Sequence, residues 1–486
     1  MATPIPPNLA TFTLDDAAAA TRGTISRRAS REARGVVSDS RSISPGNAFV
    51  ALRGESFDAH AFVEAACQRG PAFVVVERGR GPSDPGVGVL EVDDTLVALG
   101  DLARAHLEAW RAGSPDRRVL AITGSAGKTT TKELAAALFG AIGPTCFTAG
   151  NLNNRVGVPS VVLGIEAEHR FAVLEMGMSV PGELDAITAF ARPDVSLVTN
   201  VGVAHAEGVG GPEGVMHEKG AVYRALEVAG IAIVNADDER ATRAAEGTRA
   251  RTVVTFGASP RAAYRLARRE PLGHSGARVV LVTPGRELTV RLPLPGEAAA
   301  IDFAAALAAE ELATGVLLDV EAIERALATV RLAGRATVRT LVEDIVVLDD
   351  TYNANPASMR AALATLAEIA GERRRVAVLG EMKELGAHAE AEHAALGDAI
   401  AAAGVALAIG CGGLISRALS RAAELGVTCV VAGSTEEAAR EVTARLQRSD
   451  AVLVKGSRSV GAEKVVRAMT EAWPEPEKPG SSGSAP

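Results

Sequence analysis

The stretch Arg118 to Phe139, RVLAITGSAGKTTTKELAAALF, constrains this chain more than any other. Val119–Ile122 is a short, apolar, β-rich run that reads as a buried strand. Gly124-Ser-Ala-Gly-Lys-Thr-Thr130 follows, and then a helical pattern that puts Leu134, Leu138, Phe139 and Ile142 along one face. A strand, a glycine loop and a helix in this order make an α/β layer with a phosphate cradle. Loop amides and the helix N-terminus point at an anion, Lys128 neutralises phosphate oxygens, and the Thr129 hydroxyl can hold Mg²⁺. The spacing departs from GxxxxGK[ST], because Ile122 occupies the first glycine position and the loop reads GxxGKTT. A bare GxxGK would also fit a glycine turn with a surface lysine. The flanking strand and helix and the run of threonines favour phosphate.

With 486 residues the chain exceeds what one core usually supports, so several domains are expected. A net charge of −8 argues against a nucleic-acid binder, so an anionic ligand must be met by locally placed cations. Cys67, Cys146, Cys411 and Cys429 show no metal-binding spacing and read as buried thiols in a reducing compartment. No apolar run has membrane-spanning length, and the N-terminal residues lack a basic region followed by an apolar one. A cytoplasmic protein, with no membrane insertion and working as a monomer, is the expectation.

Residues 1–112 form a first unit, whose informative part is SDSRSISPGNAFVALRGESFDAHAF. There Ser40 and Arg41 stand on a loop before a strand at Ala48–Leu52, a group that suits an anion such as a nucleotide diphosphate and is otherwise a surface turn. Residues 113–331 carry strand-like runs at Val119–Ile122, Ala172–Glu175, Ser196–Asn200, Ala232–Asn235 and Thr252–Phe256 with helices between, which implies a mostly parallel sheet with helices on both faces. Ligands of such sheets bind beyond the carboxyl ends of the strands, where the polar residues fall. Residues 332–473 repeat the style with runs at Ile345–Leu348, Val376–Leu379, Leu407–Ile409, Cys429–Val431 and Val452–Val454, a second doubly wound domain. The tail 474–486 is rich in Pro, Gly and Ser and reads as disordered.

Phosphoryl transfer needs a metal to offset charge, and Mg²⁺ wants oxygen ligands. Glu175, ending a strand beside the glycine loop, is the natural carboxylate, and His205 in NVGVAHAEG is a second candidate or a plain loop histidine. Lys219, on a helix starting near Gly211, cannot bind metal as an ammonium and by default reads as a solvated charge. Asn151, Asn153 and Asn154 are either turn chemistry or donors aimed at a polar ligand. Asp349-Asp-Thr-Tyr-Asn-Ala-Asn-Pro356 follows a strand, and adjacent carboxylates there commonly take ribose hydroxyls or Mg²⁺. Arg335 just before could reach a phosphate, and VKGSRS offers Lys455 and Arg458 to an anion.

Together SDSR, GSAGKTT, GNLNNRVGVP, LEMGMSVPGE, TNVGVAH, DDTYNANPAS, LGEMKELG and KGSRS resemble the Mur ligases of peptidoglycan synthesis, in the expected order over residues 38 to 466. YNANP and LGEMKELG resemble the branch that joins D-alanyl-D-alanine to a UDP-N-acetylmuramoyl-tripeptide. The sibling that adds diaminopimelate or lysine carries a DNPR-type motif in its last domain, and this chain has none. The resemblance implies three domains: a small N-terminal α/β domain that binds the UDP-substrate, a central P-loop mononucleotide-binding sheet, and a C-terminal Rossmann-like ligase domain. It implies that Gly124, Ser125, Ala126, Gly127, Lys128, Thr129 and Thr130 hold the ATP phosphates, with Lys128 on the γ-phosphate and Thr129 on Mg²⁺. Glu175 and His205 would be metal ligands, and Lys219 falls where the family has a carbamylated lysine that supports a second Mg²⁺. Arg335 and Asp350 would reach ATP phosphate and ribose, while Ser40, Arg41, Asn151, Asn153 and Asn154 would hold the UDP-sugar peptide. Two positions depart from the family pattern. Its His-Asn pair and later asparagine, which seat adenine, are here Ala298, Ala299 and Asp302, and Ala59 in FDAH replaces a glycine. Rivals to ATP-dependent acyl-phosphate ligation are the sibling ligase, a folate-type glutamate ligase and a regulatory P-loop ATPase, separable by which amino acceptor drives ADP release.

Overall fold

The computed structural model describes residues 6–28, 32–54, 57–83, 86–202 and 206–476. The sequence-expected Mg²⁺ ligand His205 and most of the expected tail, residues 477–486, lie outside the described residues. Three main sheets follow one another along the chain, and their inner residues form the buried clusters.

The first sheet runs in the order Thr24–Arg27, Gly88–Val92, Phe73–Glu77, Ala48–Val50, Val36–Val37, parallel except for its first strand. The helix Thr95–Ala112, capped by the Asp94 carboxylate, then leaves this sheet. Its Leu99, Leu102 and Trp110 join one continuous core with residues of both the first sheet and the central one, so the two units share apolar surface.

The central sheet has nine strands among the described residues. Seven are parallel neighbours: Tyr264–Pro271, Thr252–Gly257, Ile231–Asn235, Val195–Val198, Arg118–Thr123, Phe171–Glu175 and Thr145–Phe147. Alternation sets the two faces. Val119 and Ala121 enter the core shared with the first unit, while Leu120 and Ile122 enter the core under the helices Lys128–Gly140 and Glu297–Thr314. Ile122 is thus a strand residue with its side chain in the core. That explains the shortened glycine loop, which spans only Gly124–Gly127 between strand end Thr123 and helix start Lys128. Ile142 lies past the end of that helix at Gly140. Two antiparallel strands, Ala277–Val282 and Glu287–Leu292, extend the sheet. They and Tyr264–Pro271 go beyond the five runs read from sequence, although ELTVRL buries every second residue as a one-sided strand should.

The first strand of this domain in chain order, Arg118–Thr123, lies between Val195–Val198 and Phe171–Glu175, where the direction of chain progression through the sheet reverses. That is the crevice in which doubly wound sheets take ligands. The third sheet orders Thr337–Thr340, Val346–Asp350, Ala451–Lys455, Arg375–Gly380, Val405–Cys411 and Thr428–Ala432, parallel except for its first strand. Its helix Pro356–Ala370 meets the central domain directly. Arg269 and Glu368 form a bidentate ion pair, and a Cβ placed on Gly296 would come within 2.5 Å of Thr365 Oγ1. At the start of the tail, the Pro474 carbonyl accepts from Val342 N and Glu475 pairs with Arg339, so these two residues are ordered against the third sheet.

Candidate active site

The glycine loop is held from below by the next strand. Ser125 N donates to the Asn200 carbonyl at 3.0 Å, Ala126 N to Asn200 Oδ1 at 2.9 Å, and Asn200 Nδ2 returns a bond to Ala126 O at 3.0 Å. A Cβ on Gly124 would lie 1.8 Å from Thr199 Oγ1, so this position admits only glycine. Gly127, at φ +82°, starts the helix without a side-chain cap, leaving the first-turn amides facing the cleft. Lys128 folds back so that Nζ donates to Gly124 O at 2.8 Å. Burial lowers its pKa, Glu175 opposes that shift, and the Arg335 guanidinium adds to it, which shows that a cation from the last domain faces the loop lysine.

Glu175, at the end of its strand, is buried and accepts from Thr129 Oγ1 at 2.7 Å on one oxygen and from Asn153 Nδ2 at 2.8 Å on the other. The three amides therefore divide. Asn153 faces Glu175, whereas Asn154 Oδ1 accepts from the amides of Val156 and Gly157 and so does turn chemistry at the next helix. Lys219 is 1% exposed, which overturns the default reading of a solvated helix charge. Burial, then the Lys128 ammonium, hold its pKa well below the usual lysine range against the pull of Glu218.

From the third sheet, Asp350 receives Ala336 N at 3.1 Å and pairs with Lys455 Nζ, which also donates to Asn353 O at 3.0 Å. Lys455 is buried in these bonds and is not the free cation its loop position suggests. Arg335 stacks on Tyr352, its Cζ 3.8 Å from the ring centroid. Asn355 caps the helix Pro356–Ala370 through Ser358 N and sends Nδ2 across the domain boundary to Ser125 O at 3.1 Å. The LGEMKELG loop braces KGSRS, since Ser457 Oγ donates to Glu381 O and receives Lys383 N.

These groups line one cleft of about 540 Å³ between the central and last sheets. Ser125, Ala126, Gly127, Lys128, Thr130, Asn151, Asn153, Asn154, Glu175, Lys219, Arg335 and Asp350 all border it, and Thr129 sits beneath on Glu175. Ser40 and Arg41 do not. They form a turn capped by Asp39 on the first unit, where the exposed Arg41 guanidinium pairs with Asp39 and holds that carboxyl below its usual range. Ala298, Ala299 and Asp302 also border the cleft. Asp302 is 8% exposed and lies against the glycine loop, 2.6 Å from where a Gly127 Cβ would be. Burial pushes its carboxyl up to about 8, with Thr131 pulling the other way. The sequence placed Asn200 at a strand end and Tyr352 and Asn355 in the YNANP motif, but gave none of them a role. That Asn200 holds the glycine loop, Tyr352 stacks on Arg335 and Asn355 reaches Ser125 O depends on contacts between segments far apart in the chain.

The Mur ligase middle-domain family model matches residues 122–310, and the Mur ligase glutamate ligase domain matches residues 334–458. The UDP-N-acetylmuramoyl-tripeptide–D-alanyl-D-alanine ligase of Escherichia coli (strain K12) is 40% identical over 440 residues, 90% of this chain and 93% of its own. The chain belongs to the Mur ligase family. Two solved structures place this Mur ligase among its relatives. MurF from Acinetobacter baumannii superposes with a TM-score of 0.84 at 32% identity, covering 96% of this chain and 100% of its own. MurF ligase from Thermotoga maritima in complex with ADP gives 0.78 at 27% identity, covering 90% and 97%. The two matched family domains contribute opposite walls of this Mur ligase's cleft, with the glycine loop and Glu175 on one side and Arg335, Asp350 and Tyr352 on the other.

Proposed function

We propose that this chain joins D-alanyl-D-alanine to UDP-N-acetylmuramoyl-tripeptide with conversion of ATP to ADP and phosphate, a step of peptidoglycan precursor synthesis and so of cell-wall growth, shape and division. The observation that carries the reading is the single cleft in which a glycine loop, its lysine, a buried carboxylate and cations of the last domain converge. Close similarity to a ligase of that name over nine-tenths of the chain supports the choice of substrates.

A carboxylate acylates poorly, so ATP first converts the terminal carboxylate of the tripeptide into an acyl phosphate, releasing ADP. The amine of the dipeptide then attacks the carbonyl carbon, and phosphate leaves as the tetrahedral intermediate collapses. The chain's contribution is positioning and charge neutralisation. Within the Gly124–Thr130 loop, whose Ser125 and Ala126 amides are held by Asn200, the amides of Gly127–Thr130 and the Lys128 ammonium take phosphate oxygens, with Lys128 swinging from Gly124 O to do so. Arg335 approaches from the opposite wall, and Asp350 is assigned to the ribose. Closure of three domains around the cleft keeps water from the acyl phosphate. Ser40, Arg41 and the Asn151, Asn153 and Asn154 cluster are assigned to the UDP-sugar peptide.

The donors fit Mg²⁺. Thr129 and Glu175 present hard oxygens in contact with each other beside the phosphate loop, and a hard cation takes such ligands. When bound there it would offset phosphate charge. His205 is assigned as a further ligand. Lys219 suits carbamylation, because burial favours the neutral amine that adds CO₂. The four cysteines, none of them in a disulfide among the described residues, fit the cytoplasm, the chain is assigned as a monomer, and no described helix is long and apolar enough to cross a membrane. The unit boundaries at 112/113 and 331/332 belong to the same proposal.

The test is phosphate release from ATP by purified protein. Release that needs both UDP-tripeptide and D-alanyl-D-alanine supports ligation, and comparable turnover without the dipeptide refutes it.

A further inference from the structure

The wall of the cleft opposite the glycine loop carries an arrangement of which the assignments above use only Arg335, leaving Tyr352 and Arg458 without a role. Gly334–Ala336 is a tight turn, with φ +65° at Gly334 and +48° at Ala336, the second an L-residue in the left-handed region. Two bonds hold that turn: Tyr352 N donates to Gly334 O at 2.9 Å, and Ala336 N to Asp350 Oδ1 at 3.1 Å. Arg335 is thereby presented between two tethers, and a third contact fixes its side chain against the half-buried Tyr352 ring at 3.8 Å. A second guanidinium comes to the same ring from the KGSRS loop, Arg458 Cζ lying 5.5 Å from the centroid. Among the described residues no carboxylate forms an ion pair with either arginine, although both border the cleft together with Lys128. Two unpaired like charges sharing one aromatic surface repel each other. The arrangement makes sense where an anion with several oxygens enters between them and the loop lysine, since a guanidinium fork matches phosphate in two-point contact.

We propose that Tyr352 is a positioning residue whose ring holds Arg335 and Arg458 as a pair, ready for the oxygens of the phosphoryl group passing from ATP to the substrate carboxylate. The inference rests on the reading that this cleft transfers a phosphoryl group. It deepens that reading by making the two arginines, which come from loops more than 100 residues apart, one unit through the ring. The π face does the holding and the phenol hydroxyl is dispensable.

The experiment compares Tyr352→Phe, Tyr352→Leu, Tyr352→Met, Arg458→Ala and the double variant Tyr352→Leu/Arg458→Ala with the unaltered full chain. Tyr352→Phe keeps kcat/KM for ATP within about twofold, and Tyr352→Leu and Tyr352→Met each lose about thirtyfold, about tenfold of it in kcat, because most of the charge to be met develops in the transition state. Arg458→Ala loses a similar factor in the unaltered background and about twofold or less once Tyr352 is Leu. Independent, multiplying losses overturn the platform, as does a Phe variant as damaged as Leu. Met has nearly the bulk of Leu with different packing, so agreement of the two separates loss of the π face from misfolding, and disagreement overturns the proposal. Calorimetric titration with a non-hydrolysable ATP analogue keeps the two readings apart. About threefold weaker binding by Tyr352→Leu with unchanged binding by Tyr352→Phe supports the platform even if the unaltered chain shows no dipeptide-dependent turnover, and equal binding by all three overturns it.

Discussion

Asp302 offers the sharpest test of how the nucleotide wall is built. Its carboxyl is buried against the glycine loop, and burial raises it from the ordinary 3.8 to about 8. An acid whose folded pKa lies above its unfolded value binds its proton more tightly when folded. Stability is therefore fully present below pH 3.8 and is lost progressively as pH rises toward 8. About four pH units at about 1.4 kcal/mol each set an upper bound on the order of 5 kcal/mol lost by pH 8. Asp302→Asn is nearly isosteric, cannot ionise, and restores the residue type that the family pattern places there. Differential scanning calorimetry of both proteins from pH 5 to 9 reads the effect. The variant's central-domain transition should rise relative to the unaltered chain as pH increases, by about 2–4 °C for each kcal/mol recovered, with the gap smallest at pH 5 and widening up to about pH 8. Parallel pH profiles with no convergence at low pH would refute the argument and mean that the carboxylate is compensated by a partner when ionised.

Gly124→Ala should abolish nucleotide binding, because the new Cβ would meet Thr199 Oγ1 at 1.8 Å and push the loop off Asn200; calorimetric titration with ADP checks this, and near-normal affinity would show that the loop adapts. Asn355→Asp keeps the oxygen that caps Ser358 N but loses the donor to Ser125 O, so kcat should fall several-fold while the melting temperature holds; Asn355→Ala should also lose about 1 kcal/mol of stability, read by denaturant titration. Lys219→Ala should lose ligase activity and regain part of it with added short carboxylates, and unchanged turnover would remove the carbamate assignment.

Strand–loop–helix order, the glycine loop and the polar residues at strand ends were all legible along the chain, because each depends on residues adjacent in sequence. Lys128 and Glu175 were placed together from that logic alone, since carboxyl ends of parallel strands share one edge. His205 belonged to the same set and falls outside the described residues. The antiparallel strands after residue 264 went unread although ELTVRL alternates, because a short one-sided run carries less signal than a buried parallel strand.

By itself the sequence determined the α/β layering, the phosphate loop and the order of the domains, since hydrophobic period and turn chemistry act over a few residues. Only the tertiary structure decided which side chains lose their water and which neighbours they meet. Lys219 became a buried amine instead of a solvated charge, Lys455 was taken up by Asp350, and Asn355 reached across to the glycine loop. It also brought Arg335 and Arg458 to one tyrosine ring. Charge solvation and hydrogen bonding depend on distances through space, and those exist only once the sheets have packed.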